Sequence, residues 1–87
     1  MAYRIFDVKV AKVEIGTNRL VIKRKKAKEG EVRYLETVFV INNCTLITGK
    51  DSETLTPSDI KVGNKVTIDF MKTKDRKLLA KGISILA

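Results

Sequence analysis

Apolar residues alternate with polar ones along almost the whole chain, and a period of two confines it to β-strands. In "VKVAKVEI", Val8 and Val10 share a face, and then Val13 and Ile15 share one. The phase slips by one residue at Ala11-Lys12, so a β-bulge is expected there, restoring a common inward face and bending the strand. "GTN", Gly16 to Asn18, is a tight turn. "RLVIK" then sets Leu20 and Ile22 inward and Arg19, Val21 and Lys23 outward. Lys25 to Glu31 reads as the tip of a long hairpin, with Gly30 easing the reversal. The third strand runs from Val32 to about Ile41.

"CTLITGKDSE" reads as a loop with an extended start. "TLTPSDIKVGN" carries the one helical signal: Thr56 suits the cap, Pro57 the first helical position and Asp59 the positive end of the dipole. Gly63 can end the helix in a left-handed conformation after one or two turns. "KVTIDFMK" is a strand with Val66, Ile68 and Phe70 on one face, "TKDRK" a turn, and "LLAKGISIL" the last strand, with Ile83 and Ile85 inward and an irregularity at Gly82. The expected fold is therefore all-β: one domain over residues 1–87, a closed or nearly closed five-stranded OB-like barrel with a short helix between strands three and four. Its core should hold Ile22, Val66, Ile68, Phe70 and Ile83, and one of the two apolar faces of the third strand. An SH3-like barrel and an open meander are the alternatives.

"FVINNCTLI", "LTPSDIKVGNKVTIDF" and "LLAKGISIL" together resemble the small OB-like domains of unknown function common in bacterial secreted proteins and lipoproteins. The matching positions are Thr45, Ser58-Asp59-Ile60, Val62-Gly63-Asn64, and Ala80 with Ile83. They are turn and core positions. The resemblance implies the barrel and an inward Phe39 and Ile41, and it brings no active site.

Several kinds of chemistry are excluded or unsupported. There is no histidine, so the usual general base and commonest metal ligand are missing, and a histidine-dependent haem role on such a barrel is ruled out. Cys44 is alone and expected to be a buried small residue; no cysteine metal cluster or intrachain disulfide can form. "TGKDS" lacks the upstream glycine of a phosphate loop. The expectation is a non-enzymatic protein with no catalytic residues, cofactor or metal. No apolar run is long enough to span a membrane. "MAYRIFDVKV" carries charges where an export signal would be apolar, so a cytoplasmic location is expected if this N-terminus is native.

The net charge of +8 favours anionic partners. The basic residues cluster. Lys23, Arg24, Lys25, Lys26 and Lys28 follow strand two; Lys72, Lys74, Arg76 and Lys77 fill the turn before the last strand. Both clusters could border the ligand face of an OB-fold. On strand three Tyr34, Val38 and Val40 should point outward, joined by Val21. An outward Tyr34 beside Arg33, Arg19 and the lysines suits a stacking platform for single-stranded nucleic acid or another polyanion. The competing reading is a protein-interaction or structural module, paired with a protein partner or with itself through strand three.

Overall fold

The computed structural model describes residues 2–86, and Lys28 by its backbone alone. Among the described residues seven strands follow one another: β1 (Ala2–Glu14), β2 (Arg19–Lys28), β3 (Glu31–Val40), β4 (Leu46–Thr48), β5 (Thr54–Leu55), β6 (Lys65–Lys72) and β7 (Leu78–Ile85). They form one sheet in the order β3-β2-β1-β6-β7-β4-β5. No helix among the described residues is long and apolar enough to cross a membrane.

The all-β class is as expected, but the five-stranded barrel with a helix is not what forms. The sheet curls until β3 meets β7, and one parallel bridge, Val40 opposite Leu79, joins them. A single bridge leaves the barrel unclosed. Of the two additional strands, β5 comes from the head of the segment read as helical, and β4 from the extended start of the segment read as a loop. There Ile47 is buried while Leu46 is exposed, the alternation of a strand, and Ile47 and Thr48 pair with Leu55 and Thr54. The expected helix is a three-residue 3-10 turn, Pro57–Asp59. The Thr56 N–H donates to Asp59 Oδ2 at 2.8 Å, so the capping chemistry is present. The turn stops because Ile60 adopts an extended conformation and enters the core, where it is 4% exposed.

The core is aliphatic: Val8, Val10, Leu20, Ile22, Ile41, Ile47, Ile60, Val66, Ile68, Ala80 and Ile83 surround Phe39. Phe70, expected inside, is half-buried. It meets Phe39 edge-on at 5.0 Å and stacks on Tyr3 at 5.5 Å. The bulge expected in β1 is found between Val10 and Lys12, and a second lies between Ile5 and Val8, where Asp7 has a positive φ of 51°. Gly82 also marks an irregularity, since the β6–β7 register shifts between Asp69 and Phe70.

Four local expectations fail for traceable reasons. Ile15 lies past the last β1–β2 rung, Glu14 opposite Arg19, and is exposed. Val21 is buried although its parity points outward; Lys12 and Val38 flank it on the neighbouring strands. Cys44 is exposed, because it sits in a turn where its N–H donates to Asn42 Oδ1 at 2.9 Å. The hairpin tip is only Glu29-Gly30: the β2–β3 ladder runs without a break from Arg19 opposite Val40 to Lys28 opposite Glu31.

Thr45 and Ala80, two positions that carry the resemblance, are joined. The Thr45 hydroxyl donates to the Ala80 carbonyl at 2.6 Å and ties the chain entering β4 to β7. Gly63 has a φ of 93°, as a left-handed glycine should. Its N–H donates to the Val10 carbonyl at 2.8 Å, and the Val10 N–H to Asn64 at 2.9 Å. This fixes where β6 starts against β1, and so which side chains share a rung.

Candidate anion-binding site

Because the basic run lies in β2 and not in a loop, the pleat divides it between two faces. Lys23 and Lys25 fall on the outer face. Arg24 and Lys26 fall on the face that carries Leu20 and Ile22 into the core. Lys28 is placed only as backbone, opposite Glu31.

Strand pairing then assembles a group that is scattered in the sequence. Lys9 is opposite Lys23 on β2 and opposite Lys65 on β6. Residues directly opposite one another share a face, so Lys65, Lys9 and Lys23 stand abreast across three strands spaced about 4.8 Å apart. All three are exposed. The ion pairs among the described residues are Arg4–Asp69, Lys12–Glu14 and Arg33–Glu31, so none of them engages this row. Like charges directly opposite one another destabilise a sheet.

The row lies where β1 parts from β2. Past the Lys9–Lys23 rung, the N-terminal half of β1 follows β6 alone, and β2 continues with β3 alone. A recess of about 640 Å³ opens at the parting. Phe6 and Asp7 line it from β1, Lys23, Arg24 and Lys25 from β2, and Tyr34 and Lys65 from β3 and β6. Asp7 is the one acidic side chain lining it among the described residues. Phe6 and Tyr34 are 63% and 61% exposed. The Lys23 ammonium sits 5.4 Å from the Tyr34 ring centre, and the Arg4 guanidinium 5.8 Å from that of Phe6. Cationic groups over exposed rings keep those rings oriented.

The other expected residues are placed elsewhere. Lys26 and Arg33 meet on the opposite face of the hairpin, where Glu29 and Glu31 line the same hollow and balance their charge; Arg33 donates to Glu31 at 3.1 Å. Arg19 stands at the base of β2, opposite Glu14 and Val40. Of the second cluster, Lys72 lies over Tyr3 at 5.4 Å, and neither it nor Lys74, Arg76 or Lys77 lines the recess. Phe6, Lys9 and Lys65 were not expected at the site. Lys9 could have been found from its outward parity between Val8 and Val10, whereas Lys65 needed the register of β6 against β1.

No family model and no curated protein matches the chain. Its fold has solved counterparts. The structure of Ag(I)CusF is 16% identical, with 98% of this chain and 97% of that one covered, at a TM-score of 0.68. A Cu(II) form of a CusF variant from Escherichia coli is 17% identical, covering 97% and 90%, at 0.67. Apo-CusF from Escherichia coli is 16% identical, covering 98% and 89%, at 0.64. At this identity the similarity establishes a small, all-β, barrel-like fold.

Proposed function

We propose that this chain is a non-enzymatic binding module that holds an anionic polymer, single-stranded nucleic acid foremost, at the parting of β1 and β2. The observation that carries the reading is the row Lys65–Lys9–Lys23. Three like charges on adjacent strands oppose folding, and an anion laid across them turns that cost into affinity. Lysine is a flexible point charge that suits phosphate contacts and not bidentate base reading. The exposed rings of Phe6 and Tyr34 beside the row offer flat faces to bases, each stacking contact contributing about 1–3 kcal/mol. Binding should therefore tolerate sequence.

The silver and copper of the CusF structures are not carried over. Such ions prefer thiolate, thioether and imidazole donors. This chain has no histidine and one cysteine, which is exposed. Met71 is the one methionine among the described residues, and no group of histidine, cysteine and carboxylate side chains is clustered to hold a metal there. The donor set does not fit a soft metal.

An amide-detected NMR titration with a single-stranded oligonucleotide tests the site. Shifts should concentrate at Phe6, Lys9, Lys23, Tyr34 and Lys65. Shifts centred on the turn from Lys72 to Lys77, with the row silent, would move the site elsewhere.

A further inference from the structure

We propose that the free edge of β3 pairs antiparallel with the same edge of a second copy, about a two-fold axis at Leu35. β3 ends the sheet. β2 occupies one side of it, and on the other, among the described residues, only Val40 meets another strand. Glu29 and Gly30 have φ of 50° and 81°, the pair of positive values that defines a type I′ turn. Such a turn bonds the Lys28 carbonyl to the Glu31 N–H. Bonded and non-bonded rungs then alternate along an unbroken antiparallel ladder. Glu31, Arg33, Leu35 and Thr37 therefore spend their backbone groups on β2, while Val32, Tyr34, Glu36 and Val38 direct theirs away from it.

Of the usual protections this edge has charged side chains, Glu31, Arg33 and Glu36, and lacks the others. It has no proline, and its ladder with β2 has no bulge. Val32, Tyr34, Leu35 and Val38 are all exposed, at 53%, 61%, 41% and 47%.

Its charges select the partner and the register. An axis normal to the sheet preserves each face, so residues of equal parity meet and the axis falls on a residue. Centred on Arg33 or Glu36, the pairing opposes two like charges. Centred on Tyr34, it sets Val32 against Glu36 and Arg33 against Leu35. Centred on Leu35, it sets Val32 against Val38, Tyr34 against Glu36, Arg33 against Thr37 and Leu35 against itself. Only this last register satisfies all the free backbone groups from Val32 to Val38 without opposing like charges or setting a charge against an aliphatic side chain. The pairing goes beyond the polyanion reading and does not depend on it. It uses the strand edge and leaves both faces open, placing a second lysine row on the same side of the enlarged sheet.

Sedimentation equilibrium over a range of concentrations should show the 9.8 kDa chain passing to twice that mass. Leu35→Cys with Cys44→Ser should form a disulfide dimer under mild oxidation, since non-bonded opposite residues have Cα atoms about 4.5 Å apart. Tyr34→Cys with Cys44→Ser should cross-link at least tenfold more slowly. Glu36→Pro removes a free-edge N–H and no bond to β2, so it should give a monomer with an unchanged circular dichroism spectrum. A wild-type chain that stays monomeric to about 1 mM overturns the proposal, as does faster cross-linking through Tyr34. If the cysteine variants fail to fold, the wild-type masses and Glu36→Pro still decide it.

Discussion

Lys9 and Lys23 face each other across one rung of the β1–β2 ladder, and Lys65 continues the rung on the far side of Lys9. A sheet selected for stability alone would place a carboxylate in the middle of that row. Lys9→Glu should therefore do two opposite things. Urea unfolding should show a gain of roughly 0.2–1 kcal/mol for each of the two new opposite-charge pairs, and oligonucleotide affinity should fall. A variant that loses stability, or binds as tightly as the wild type, would show that the row has no such role.

How much of this was legible in the sequence differs from element to element. The period of two gave the strand class, the β1 bulge and an inward Ile22, Val66, Ile68 and Ile83, because apolar alternation reports directly on burial; an inward Phe39 and Ile41 rested on the resemblance, since both faces of the third strand are apolar. The period did not give β4 and β5, which are too short to show one. Nor did it limit the Pro57 segment to a single turn, because the pull of Ile60 into the core is a tertiary effect. The site was half visible. Lys23 and Tyr34 stood out by composition. Their neighbours Lys9 and Lys65 are far apart in the chain, and only the register fixed by two bulges and the Val10–Gly63 bond brings them to one rung. The basic run misled in the opposite way. It looks like one cluster, and strand pleating splits it between two faces.

Core and surface positions of the same type should separate sharply. Ile68 is fully buried and Leu46 is 57% exposed. Ile68→Ala should cost about 2–5 kcal/mol, through lost methyl burial and the cavity left behind. Leu46→Ala should stay within about 0.5 kcal/mol. Denaturant midpoints at equal m-values check both, and near-equal losses would contradict the assigned faces.

The end of β1 carries an acid-sensitive contact. The Lys12 ammonium, bonded to Glu14 at 2.8 Å, and then the Thr17 hydroxyl at 3.0 Å hold the Glu14 carboxyl below the usual carboxylate range. A carboxyl depressed in the folded state stabilises the fold above its unfolded pKa, near 4.3, and that contribution is lost as pH falls through the lower folded value. Both partners are on the surface, so the effect on stability is small. Carbon-detected NMR should find Glu14 titrating low, and Lys12→Gln should raise it more than Thr17→Val does. A Glu14 that titrates at the ordinary value with Lys12 intact would show the bond is absent in solution.

The central claim is that lysines on three strands act together on a phosphate chain, and the salt dependence of binding tests it most directly. Contacts from Lys9, Lys23, Lys25 and Lys65 to a single strand should give a log–log slope of about −3, from about −0.7 per contact. Replacing Lys9, Lys23 and Lys65 with Gln should cut the slope to about −0.7 while leaving the fold intact. Fluorescence anisotropy with a labelled oligonucleotide, from about 50 mM salt upward, measures both values. A wild-type chain that does not bind at about 50 mM salt, or a triple variant with an unchanged slope, would contradict the account.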